Sequence, residues 1–200
     1  GLRTWIPAEM DKPVILRMSG GASILRELSN ELLTITVEDA IRTNVSAITC
    51  SIFIGAEYEK VSIANLAKLV NDGERYGIPV LAVTAVGKEM ARDSRYLGLA
   101  SRIAVETGAH IVKTYYCDED FESVVEACGS VPVVIAGGKK LEEREALQMA
   151  HDAVSKGASG VDMGRNIFQS DNPIGMIKAV RSIVHNKKSV DEAFDIYAKG

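Results

Sequence analysis

Short, almost uninterrupted apolar runs alternate along the chain with longer stretches whose apolar residues recur every three or four positions. The runs are Pro13–Ser19 (PVILRMS), Ala47–Gly55 (AITCSIFIG), Pro79–Val86 (PVLAVTAV), His110–Cys117 (HIVKTYYC), Val131–Gly137 (VPVVIAG) and Gly160–Phe168 (GVDMGRNIF). Rich in Val, Ile and Ala and poor in polar alternation, they predict parallel strands covered on both faces. Between them the spacing predicts helices at about Ser62–Tyr76, Lys88–Thr107, Asp118–Cys128, Glu142–Lys156 and Asn172–His185. In the first of these Ile63, Leu66, Leu69 and Val70 share a face; in the fourth, Ala146, Met149, Ala150 and Val154 do. A last helix, Ser189–Ala198, starts at an N-cap serine and gathers Ala193, Phe194 and Tyr197 on one side. Repeated β-α units imply a parallel sheet, either open and doubly wound or closed as a (β/α)8 TIM barrel. No internal repeat divides the chain, so residues 1–200 read as one domain.

Composition narrows the partners. A hydrophobic share of 46% supports a sizeable core, and a net charge of -4 without a basic run argues against nucleic acid. The apolar runs are too short for a membrane span. Cys50, Cys117 and Cys128 form no metal-ligand spacing and fit a reducing cytoplasm, and no metal is expected.

Lys113 changes the picture. It lies late in a central apolar run, with Ile111 and Tyr115 on its side of the strand and Val112 and Thr114 on the other. A solvent-facing edge strand would explain it without function. In parallel α/β folds, however, the carboxyl ends of strands are where chemistry is built. Burial disfavours the charged form of an amine, and a neutral lysine attacks ketones to give a Schiff base.

The next two strands end in glycine turns, Gly137-Gly138-Lys139-Lys140 and Gly164-Arg165-Asn166. Glycines let backbone N–H groups approach a ligand, and Arg165 offers a bidentate fork for phosphate. A single Gly-Gly is an ordinary turn; two such turns on consecutive last strands match the phosphate site of barrel enzymes. On that placement two strands are expected ahead of the chain's first residue. Arg17 and Ser19 share a face of the first strand and either line the barrel mouth or pair internally; Thr84 reads as pocket wall, and Tyr115 as a possible pocket residue. His110, His151 and His185 read as structural, and Cys117 as an unsupported nucleophile.

The stretches LRMSGGASILRELSNE, FIGAEYEK, VTAVGKEMARDSRYLGLASRIAVETGAHIVKTYY and VIAGGKKLEEREALQMAHDAVSKGASGVDMGRNIFQSDNP together resemble the class I aldolase family, over nearly the whole chain. The resemblance implies that Lys113 is the Schiff-base lysine and that Gly137, Gly138, Gly164 and Arg165 hold a substrate phosphate. It further implies a (β/α)8 barrel in a ring-like homo-oligomer and no cofactor. On overall similarity it favours a phosphorylated pentane-dione substrate, with an acetyl group passed to coenzyme A as cosubstrate and dihydroxyacetone phosphate released. A fructose-bisphosphate-type aldolase and a non-catalytic phosphosugar-binding remnant are the alternatives. An Asp-His-Gly strand end, which such families use for proton transfer, is absent from the sequence. The chain is therefore expected to be an incomplete barrel, weak or inactive by itself.

Overall fold

The computed structural model describes residues 2–5, 11–21, 24 and 27–200, so part of the LRMSGGASILRELSNE run lies outside the described residues. Along the chain come α1 (Leu2–Trp5), β1 (Ile15–Arg17), β2 (Ser19–Gly20), β3 (Leu32–Leu33), α2 (Val37–Arg42), β4 (Ala47–Ile54), α3 (Glu59–Tyr76) and β5 (Val80–Val86). There follow α4 (Ser94–Glu106), β6 (Ile111–Tyr115), α5 (Phe121–Glu126), β7 (Val133–Ala136), α6 (Glu143–Ser155), β8 (Gly160–Asp162), α7 (Arg165–Phe168), α8 (Pro173–Asn186) and α9 (Val190–Lys199).

The main sheet has the order β1-β4-β5-β6-β7-β8, every pair parallel. Each strand therefore lies beside the next one in chain order, as in a winding barrel wall rather than a doubly wound sheet, whose order reverses at a switch point. This is a curled six-stranded part of a (β/α)8 barrel. The strand carrying Lys113 is interior to it, which removes the edge-strand reading.

The two faces of the sheet are unequal. In β6 Val112 and Thr114 are fully buried, while Ile111, Lys113 and Tyr115 are only partly so. The buried side packs under the helices with Ile48, Cys50 and Ile52 of β4 and Ile135 of β7. Expecting cover on both faces holds for the helix side alone; the other face opens into a cavity. Phe121 of α5 is fully buried in that core, worth about 1.5–3 kcal/mol by area. A second cluster joins α6, α8 and α9 through Leu147, Met176, Ile183 and Ala193.

Local chemistry sets the helix ends. α3 stops at Gly77, whose φ of 68° closes the helix in the left-handed region. α4 starts only at Ser94, later than the spacing predicts, because Asp93 caps it by accepting from the Tyr96 N–H at 3.0 Å. α9 carries a full capping box between Ser189 and Glu192. Two departures matter for the site. The Gly160–Phe168 run is not one strand: after Asp162 the chain turns, and Phe168 N–H bonds Gly164 O at 3.1 Å, making α7. The β2–β3 pairing and α2 are also additions to the elements read from the sequence.

Candidate active site

The carboxyl ends of the sheet strands surround a cavity of about 710 Å³. Parallel register stacks its inner wall in layers. Ser51, Val83 and Lys113 stand in register in one layer; one step towards the carboxyl ends Phe53 pairs with Ala85, and Tyr115 with Ala136, itself paired with Asp162. Every residue nominated from the sequence borders this space: Lys113, Gly137, Gly138, Gly164, Arg165, Arg17, Ser19, Thr84 and Tyr115.

Lys113 leans from β6 past the small Ala136 of β7 to β8, where its Nζ lies 2.8 Å from Asp162 Oδ2. Its side chain is 21% exposed and that of Asp162 is 52%. The lysine is thus not enclosed by apolar groups, as its strand context suggested, but faces an open cavity opposite a carboxylate. Thr84 is buried, and its hydroxyl donates to the Lys113 carbonyl at 3.3 Å, tying β5 to β6 as a wall residue. Tyr115 lies beneath the Arg92 guanidinium, 4.3 Å from the ring centroid.

The two glycine turns are held against each other. Arg165 Nη2 donates to Gly138 O at 2.6 Å, and buried Asn166 donates from Nδ2 to Gly137 O at 2.7 Å while its Oδ1 accepts from Leu141 N–H at 2.8 Å. A Cβ on Gly137 would stand 3.0 Å from Met163 Cγ, so the turns approach closely there. At Gly138, with φ of 62°, the Cβ direction is open space, leaving room for a ligand beside the backbone. Lys140, by contrast, is engaged with Leu141 O and the Glu143 carboxylate, and its hydrogen bond holds the Glu143 carboxyl below the usual range. In the sequence Asn166 is marked only as part of its turn. Replacing it with alanine leaves a carbonyl and an N–H without their partners, and urea unfolding should show a loss of roughly 2–4 kcal/mol.

Across the cavity Arg17 donates to Ser19 O at 3.1 Å, Glu31 Oε1 at 2.5 Å and Ser51 Oγ at 2.7 Å. The Ser19 hydroxyl donates to the other Glu31 oxygen at 2.6 Å. Arg17 and Ser19 therefore do both things weighed for them: they border the mouth and pair internally around Glu31. Nothing local in the sequence flags Glu31, whose carboxylate is held by Arg17 of β1 and Ser19 of β2. Asp162 did carry a signal, a carboxylate at a strand's carboxyl end, the argument that singled out Lys113.

The remaining candidates stand apart from the chemistry. His110 Nδ1 accepts from Val80 N–H at the amino end of β6, and His151 pairs with its neighbour Asp152. Burial pushes the Cys50 thiol up to about 12 and the Cys128 thiol up to about 11, and it raises that of Cys117 as well, so none is primed as a thiolate. Among the described residues no helix is long and apolar enough to cross a membrane.

Comparison with known proteins agrees with this architecture. The chain is 59% identical over 98% of its length to a 3-hydroxy-5-phosphonooxypentane-2,4-dione thiolase of Enterobacter sp. (strain 638) and 58% identical to the thiolase of that name from Klebsiella pneumoniae. It spans 66% of the length of each of these curated relatives. The structure of an archaeal fructose 1,6-bisphosphate aldolase superposes with a TM-score of 0.85 at 25% identity, covering 92% of this chain and 75% of that one. A Schiff-base-forming fructose-1,6-bisphosphate aldolase superposes with a TM-score of 0.81 at 26% identity, covering 86% and 72%. The DeoC/LacD family aldolase model matches residues 7–170. On these matches and this barrel wall, the chain belongs to the DeoC/LacD aldolase family.

Proposed function

We propose that the protein is a Schiff-base thiolase that cleaves 3-hydroxy-5-phosphonooxypentane-2,4-dione with coenzyme A, giving acetyl-CoA and dihydroxyacetone phosphate. The observation that carries this reading is Lys113, an amine in an open cavity bounded on one side by the Gly137-Gly138 and Gly164-Arg165 turns. The identity of the thiolase relatives supports the choice of substrate.

In this reading the turns and Arg165 take the phosphate, which brings the C4 carbonyl to Lys113. Attack by Nζ and loss of water give a protonated imine at C4. The coenzyme A thiolate adds to C2, and as the C2–C3 bond breaks its electron pair moves to C3, where the iminium accepts it as an enamine. Protonation at C3 and hydrolysis free Lys113 and release dihydroxyacetone phosphate; the acetyl group leaves on sulfur. Coenzyme A is a cosubstrate in this scheme and no resident cofactor takes part. Three free thiols suit a reducing cytoplasm. A homo-oligomer is the assembly we expect.

The aldolase reading keeps the same imine but needs no thiol acceptor, and the solved aldolases of like fold favour it. The two separate by product analysis. The thiolase forms acetyl-CoA in step with dihydroxyacetone phosphate and stalls without coenzyme A. Cleavage that is indifferent to coenzyme A, together with turnover of fructose 1,6-bisphosphate, contradicts the thiolase.

A further inference from the structure

We infer that Asp162 is the proton carrier of imine formation at Lys113. The inference rests on the Schiff-base reading above and adds a catalytic residue to it.

An ammonium cannot attack a carbonyl, so Lys113 must first give up a proton to a nearby base. Among the described residues that border the cavity, three groups compete for that part. Glu31 is buried, and both its oxygens are occupied, one by Arg17 and the other by Ser19. Tyr115 lies one layer above, stacked under Arg92. Asp162 alone of the three reaches the amine, with Oδ2 2.8 Å from Nζ, within the distance for direct transfer. Half-exposed to the cavity, it can follow the proton from nitrogen to the departing oxygen.

The steps balance. The Lys113 N–H bond breaks and an O–H bond forms on Asp162, turning ammonium and carboxylate into amine and carboxylic acid. Nζ then bonds to the carbonyl carbon, the C=O π pair moves to oxygen, and a proton passes from nitrogen to that oxygen to give a carbinolamine. Asp162 returns its proton to the hydroxyl, which leaves as water while the nitrogen lone pair closes the C=N bond. A protonated imine now faces a carboxylate, the same charge pairing as at the start.

The layered register explains why this carboxylate reaches. Asp162 lies one layer nearer the carboxyl ends than Lys113, and Ala136 stands beside it on the intervening strand. A long side chain in that place would separate the two groups.

The test uses dihydroxyacetone phosphate and borohydride, which trap the imine without coenzyme A, with labelling of Lys113 followed by mass spectrometry. Asp162→Asn should slow labelling by about 100-fold while leaving binding of glycerol 3-phosphate, which has no ketone, unchanged. In Asp162→Ala, added formate should speed labelling by entering the vacated space. Labelling of Asp162→Asn at the native rate overturns the inference, as does a loss of glycerol 3-phosphate binding as deep as the loss of labelling. Absence of labelling in the unaltered protein is a different result: it overturns the Schiff-base reading, and the inference with it.

Discussion

Lys113→Ala should lower turnover by at least about 10⁴-fold: on the proposed Schiff-base chemistry, without the ε-amine no imine forms and the C2–C3 electron pair has nowhere to go. The loss is chemical rather than structural. Lys113 contributes little to the core, since the apolar side of its strand is Val112 and Thr114. Its partner Asp162 is half-exposed and is solvated when left alone, so stability should change by only about 0–1 kcal/mol. Lys113→Arg sharpens the point. It keeps a cation opposite Asp162, yet a guanidinium stays protonated and forms no imine. Both variants are expected to unfold within the normal range in urea and to be equally inactive; substantial activity in either contradicts the account.

Lys113 was legible because one charged residue stands inside a run that otherwise reads as buried strand; the alternation of apolar runs with helical spacing gives a parallel sheet but leaves its order open between doubly wound and barrel, which the sequence of neighbours β1-β4-β5-β6-β7-β8 decides. The two glycine turns that border the cavity were legible from glycines placed directly after strands. What was not legible depends on contacts between distant segments. The burial of Glu31 needs Arg17 and Ser19 from β1 and β2, which no periodicity records. The β2–β3 pairing is only two residues long on each strand, below any recognisable pattern. Ile167 and Phe168 look like strand residues, but a short apolar segment does not distinguish strand from helix, and the turn after Asp162 makes it helical. The α2 helix did leave a trace in Thr36 followed by Glu38 and Asp39, a cap with acids in the first turn.

Arg165→Ala is the second large effect, and it falls chiefly on substrate affinity. A charged hydrogen-bond donor to phosphate is worth about 1.5–3 kcal/mol, so KM should rise roughly 10- to 100-fold. Arg165 also bonds Gly138 O, so its removal loosens the contact between the two turns. Arg165→Lys restores a positive charge but not the fork, and should recover only part of the loss. A phosphate-free ketone separates this from a general defect: its slow turnover should be the same with and without Arg165. Equal loss on both substrates would place Arg165 outside phosphate recognition.

The central claim is that Lys113 is the covalent residue. Incubating the protein with dihydroxyacetone phosphate, reducing with borohydride and mapping the peptides by mass spectrometry tests it most directly. The account predicts a single adduct on Lys113, absent when substrate is left out. No adduct, or an adduct carried instead by Lys139 or Lys140 in the neighbouring turn, contradicts it.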